Sequence, residues 1–211
     1  MKKLLILTVA AVACFMVGCG GGTDDYFPMS VGSQWDYEGY VLFGTTTAAM
    51  DTQQTMTVTT EAQAKTTLTS GEEVIPFQST VITHQFLPSV MTDTTIGTSY
   101  SRESGDAILQ YDSLSTSIPD TLLKMPLSEG DTWYVASNAK ALVVGKEDVT
   151  VPAGTYKNTW KIKITSSGGG YTMDMFFWYA KGVGSVKTHY ENTYGGYTSI
   201  FNQELKSVDI K

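Results

Sequence analysis

Residues 55–69 alternate without a break. The even positions carry Met56, Val58, Thr60, Ala62, Ala64, Thr66 and Leu68; the odd ones carry Thr55, Thr57, Thr59, Glu61, Gln63, Lys65, Thr67 and Thr69. Successive side chains of a strand point to opposite faces, so this pattern gives one dry face and one wet face. A helix would mix the two sets on every side. The segment is therefore predicted to be a half-buried β-strand, and the rest of the chain is written in the same style.

Ser70-Gly71 supplies a turn, and residues 74–87 are the expected return strand. Residues 100–103 and 107–114 flank Ser104-Gly105-Asp106 as a hairpin. Further strands are expected at 133–137, 141–151, 160–165, 171–179, 184–190 and 197–208, separated by turns such as Pro152-Ala153-Gly154 and Gly195-Gly196. About 10–11 strands joined by short turns imply an antiparallel meander, and a flat sheet that wide twists badly and exposes two edges. The expected fold is all-β: a meander curled into a barrel or half-barrel, with two packed sheets as the alternative.

The chain also writes one opening twice. Pro28, Gly32 and Trp35 recur with equal spacing as Pro126, Gly130 and Trp133, with Ser30 matched by Ser128. Proline suits the turn, glycine permits a positive φ, and the tryptophan is the first large inward side chain. Later, Tyr100, Gly105 and Ile108 correspond to Tyr179, Gly184 and Val186. We expect a single β domain over 26–211 built of two duplicated halves, 26–118 and 119–211.

The residues before 26 point to a compartment. Lys2 and Lys3 precede an apolar run over 4–17, of signal-peptide length and too short to span a bilayer comfortably. It closes on Met16-Val17-Gly18-Cys19, which resembles the lipobox of bacterial lipoproteins. That resemblance implies a signal peptide over 1–18, acylation of Cys19, and attachment to a membrane through the lipid. Cys14 falls in the removed segment, so no disulfide is available to the mature chain. Residues 19–25, rich in glycine, are expected to form a tether. Gly20, where an aspartate would resemble an inner-membrane retention signal, favours the outer membrane, with the domain facing the periplasm or the cell surface. The net charge is −7, so nucleic acid is not an expected partner. The outward residues of 55–69 are polar, which argues against a membrane-spanning barrel.

Residues able to do chemistry are sparse. His84 and His189 stand in separate strands without ligand-spaced partners, no Gly-x-Ser-x-Gly elbow occurs, and Gly145-Lys146 lacks the rest of a phosphate loop. No enzyme activity, metal or cofactor is expected. The one suggestive strand is 171–179. Its odd positions, Tyr171, Met173, Met175, Phe177 and Tyr179, suit the lining of an apolar cavity, and they equally suit a filled core.

Three segments in order, 26–37 (YFPMSVGSQWDY), 151–156 (VPAGTY) and 178–187 (WYAKGVGSVK), resemble motifs shared by a group of bacterial lipoproteins. The resemblance implies a curled β domain. At the level of architecture the chain also looks like the half-barrel lipoprotein carriers and receptors of the periplasm. Two functions follow as expectations: a non-catalytic interaction or scaffold module that meets another envelope protein, or a carrier or sensor of an apolar ligand held inside the sheet.

Overall fold

A computed structural model describes residues 26–45, 50–86, 89–168 and 171–211. The lipobox, Cys19 and the tether lie outside the described residues. The strands are β1 (Gln34–Thr45), β2 (Asp51–Ala62), β3 (Thr66–Thr67), β4 (Glu73–Gln85), β5 (Met91–Ser104), β6 (Ala107–Tyr111), β7 (Asp120–Lys124), β8 (Thr132–Ala136), β9 (Ala139–Val151), β10 (Gly154–Gly168), β11 (Tyr171–Ala180), β12 (Gly184–Tyr194) and β13 (Tyr197–Asp209). Among the described residues there is no helix.

All but β3, which pairs with β4 alone, form one antiparallel path in the order β7-β6-β5-β4-β2-β1-β13-β12-β11-β10-β9-β8. The path is a nearly closed barrel with one unsealed seam, between β7 and β8. The described residues form thirteen strands, twelve of them in this path, against the expected 10–11; β3 and β7 are the short additions. In β7 both Leu122 and Leu123 are buried, because a bulge opposite Ile108 and Leu109 shifts the register. That pattern carries no alternation to read.

Alternation holds where it was clearest. Met56, Val58, Thr60 and Ala62 of β2 are buried, and Thr57, Thr59 and Glu61 are exposed. The strand stops at Ala62, so the end expected at Thr69 is cut short by a break before β3. β5 starts far earlier than its expected portion at 100–103. Its first six residues, from Met91 to Ile96, are all exposed, so that overhang has no dry face to announce it.

The Ser-x-Gly turns of the two openings fold alike, although the peptide before Pro126 is cis and the one before Pro28 is not. Ser33 N–H donates to Ser30 O at 3.0 Å, and Asp131 N–H donates to Ser128 O at 3.1 Å. Gly32 and Gly130 sit third in these turns with φ of 84° and 88°, which a residue with a Cβ resists. Each glycine then donates to the neighbouring strand, Gly32 to Ala62 O at 2.7 Å and Gly130 to Val143 O at 3.0 Å. Each turn leads to a buried tryptophan, Trp35 in β1 and Trp133 in β8. Six strands of the path follow each opening, and each run ends beside the first strand of the other: β7 faces β8, and β13 pairs with β1.

One end of the barrel is plugged. Phe27 meets Phe77 edge-on at 6.1 Å, and Trp35 meets the same ring at 6.3 Å. Tyr26, Phe27, Leu122, Leu123, Leu127, Trp133 and Tyr179 share one buried cluster there. The β9–β10 hairpin folds back onto β13, where Ala153 N–H donates to Leu205 O at 2.9 Å.

Candidate functional site

The ladder registers sort the inward residues into rows. One row runs Met56, Gly39, Gln203, Thr188, Phe177, Ile162 and Val143 across β2, β1, β13, β12, β11, β10 and β9. The next row, further from the plug, runs Val41, Phe201, Tyr190, Met175, Ile164 and Ala141. Tyr190 and Phe201 stack with ring centres 5.2 Å apart.

The strand singled out from the sequence grades along its length. Phe177 and Tyr179, near the plug, are 1% and 2% exposed and stack at 6.5 Å. Met175 and Met173, on the same inward face, are only half-buried. Both methionines pack against Val41, Met56, Tyr190 and Phe201. The main chain of Tyr171 pairs with Gly168; its side chain is outside what is described. The inward side chains of β11 thus gain exposure away from the plug, while Val41, Phe201, Tyr190, Ile164 and Ala141 of the row beside Met175 stay buried. Phe177 and Tyr179 are core, and the two methionines stand nearer the unplugged end.

The even face of β11 is covered as well. Trp178 is buried, and its Nε1 donates to Glu147 Oε1 at 2.5 Å. Lys161 and Lys187, on the strands either side, bring their ammonium groups to 4.9 Å and 5.9 Å from that ring. The Trp178 hydrogen bond, with help from Lys161 and Lys187, holds the Glu147 carboxyl below its usual range against the opposing pull of burial. This charged ladder is on the outside of the barrel.

Polar groups inside are mostly paired. Thr60 and Ser79 hydroxyls meet at 2.8 Å, and Gln110 Nε2 donates to Ser99 Oγ at 3.2 Å. Tyr37 OH donates to Ser185 O at 3.0 Å. Burial raises the phenol pKa of Tyr37, Tyr179 and Tyr190, with neighbouring Tyr179, Tyr156 and Asp36 adding to the effect on Tyr37. These phenols stay neutral. Gln203 differs: it is 1% exposed, and neither Nε2 nor Oε1 has a hydrogen-bond partner.

Sequence reasoning missed Gln203, Val41, Met56, Tyr190 and Phe201 as lining residues. The signal for Gln203 was present, since alternation through Phe201, Gln203 and Leu205 sets one amide between two core side chains. The others come together only through cross-strand register.

Elsewhere, a shallow outer groove of about 510 Å³ lies over β8, β9 and β10, lined by Tyr134, Lys140, Leu142, Lys163 and Thr165 among others. His84 is exposed, with Nδ1 2.9 Å from Thr92 Oγ1, and His189 lies on the outward face opposite Phe176. Among the described residues no group of three or more His, Cys, Asp or Glu side chains could hold a metal ion.

Fold and site thus define a nearly closed antiparallel barrel, plugged at one end, with the half-buried methionines Met175 and Met173 facing inward toward the other. No protein-family model matches the chain, and no curated protein does. Two solved structures are similar. One is a candidate lipoprotein from Parabacteroides distasonis, 15% identical with a TM-score of 0.41, covering 90% of this chain and 100% of that one. The other is a candidate exported protein with a YmcC-like fold from Bacteroides fragilis, 15% identical with a TM-score of 0.39, covering 88% of this chain and 99% of that one.

Proposed function

We propose that this chain is a non-catalytic lipoprotein of the cell envelope, anchored through Cys19 to the outer membrane, whose barrel holds an apolar ligand as carrier or sensor. One observation carries the ligand: the inward face of β11 passes from buried Phe177 and Tyr179 to half-buried Met175 and Met173. Methionine is unbranched and polarizable, so it adapts to ligands of varied shape. Native mass spectrometry of the full chain carrying Cys19→Ala is the test. A retained ligand mass that disappears on adding Met175→Glu is expected; a clean apo mass over several preparations defeats the carrier reading. For the anchor, Cys19→Ala releases the protein from the membrane fraction, and unchanged fractionation contradicts the lipid attachment.

The seam favours a second reading, an interaction module for another envelope protein. β7 and β8 are five residues each and do not pair, so each leaves a strand edge without a ladder partner. Tyr134 of β8 is 69% exposed beside that edge. Cross-linking in whole cells that captures one envelope protein at Tyr134, with no retained ligand, would favour it.

A further inference from the structure

We propose that Gln203 is the polar anchor of a binding site inside the barrel for an uncharged amphiphile: an alkyl or acyl chain bearing an ester, amide or hydroxyl group. The inference rests on the carrier reading and names the class of ligand.

A glutamine amide offers two donors and a carbonyl acceptor. In Gln203 both polar atoms are buried and unpartnered, in the middle of β13, where every flanking strand is tightly paired. Buried polar groups are nearly always satisfied, and a barrel that could place leucine here has no packing reason to keep an amide. Gly39, directly opposite on β1, has no side chain, and a Cβ there would meet Gln203 Cα and Cβ at 3.3 Å. The absence of that Cβ leaves the inward space at this row to Gln203.

The surroundings choose the chemistry. The inward neighbours Met56, Thr188, Phe177, Phe201 and Tyr190 carry no charge. The cations of the same wall, Lys161, Lys163 and Lys187, are on outward rows, bonded to Glu147, Asp174 and Glu204. A carboxylate or phosphate drawn down to Gln203 would lose its hydration with no cation to replace it. A neutral ester, amide or hydroxyl would exchange bonds to water for bonds to the amide. Its chain would then extend toward the unplugged end, parting the side chains of Val41, Met175 and Met173.

The test uses the full chain carrying Cys19→Ala. Two probes are followed: the apolar dye N-phenyl-1-naphthylamine by fluorescence, and monodecanoylglycerol by its displacement of the dye. Decanoate at neutral pH serves as the charged competitor. The variant is Gln203→Met, of similar length and unbranched, so it opens no large void; a thermal melt confirms that it folds. Expected are dye binding unchanged within about twofold, monodecanoylglycerol weakened about tenfold in Gln203→Met, and decanoate weaker than the neutral ester in the parent. Equal monodecanoylglycerol affinity in parent and variant overturns the anchor while leaving an apolar site standing; this is the result if ordered water satisfies the amide. Decanoate binding as tightly as the ester overturns the uncharged class. No dye or ester binding to the parent removes the carrier reading itself, and the anchor with it.

Discussion

The barrel closes on itself at two places, and they differ. At one, β1 lies against β13, and every residue from Gln34 to Thr45 has a partner in the ladder. At the other, β7 faces β8 without a ladder, and the link is Trp133 Nε1 donating to Thr121 O at 2.9 Å above shared packing of Leu122, Leu123 and Val135. The first joins strands at opposite ends of the described chain; the second joins neighbours separated by residues 125–131. Main-chain pairing therefore does the work where sequence distance makes closure entropically costly, and side-chain packing suffices where the chain itself holds the strands together. Closure also removes an exposed edge in one place and leaves it in the other.

The two tryptophans measure this contrast most directly. Trp35, 0% exposed and bonded through Nε1 to Val183 O at 2.7 Å, belongs to the sealed side. Trp35→Ala is expected to cost about 4 kcal/mol and Trp133→Ala about 3 kcal/mol in chemical denaturation. A reversed order would show that the seam, not the ladder, is the structural keystone. Next comes Gly39, where an added Cβ would lie 2.7 Å from Asn202 O of β13. Gly39→Ala is expected to destabilise by about 2 kcal/mol and to speed hydrogen exchange along β1 and β13 first. Uniform exchange across the barrel would deny the ladder its separate role.

The smallest effects are electrostatic, and they have opposite signs at the two closures. Burial pulls the Asp36 carboxyl upward, but hydrogen bonds from Thr59, Ser207 and Gln34 and the nearby Lys206 charge outweigh it, and its pKa ends below the usual carboxylate range. Those bonds tie β1 to β2 and β13. The folded pKa is depressed, so the stabilisation is present above the unfolded value of about 3.9 and is lost as pH falls through the folded one. Asp36→Asn should flatten that acid limb. In β7, burial and then Asp112 push Asp120 upward. Its contribution is present below about 3.9 and is lost as pH rises through the raised folded pKa, so Asp120→Asn should slightly stabilise the protein at neutral pH. Urea midpoints measured between about pH 3 and pH 7 check both; parallel curves for the two variants would remove the distinction.

Legibility in the sequence followed the same physical line. β2 was plain because one face is dry and the other wet from Met56 to Ala62. The recurrence of Pro, Gly and Trp foretold two like turns, since a positive φ third in the turn selects glycine in both. β7 and the exposed start of β5 were not legible, one having two adjacent buried leucines and the other no buried side at all. The inward face of β11 was readable as apolar, but alternation cannot distinguish packed Phe177 from half-exposed Met173. Gln203 stood in view as an amide among core positions without a reason to be noticed.

Local chemistry thus determined the all-β meander, the turn positions and the inward and outward faces, because period two and glycine's freedom are properties of a few consecutive residues. The tertiary structure alone decided which strands meet, which closure is sealed, and that Met56, Gly39, Gln203 and Thr188 share one row. Those facts depend on registers between residues as far apart as Gln34 and Asp209, and no local pattern records such a register.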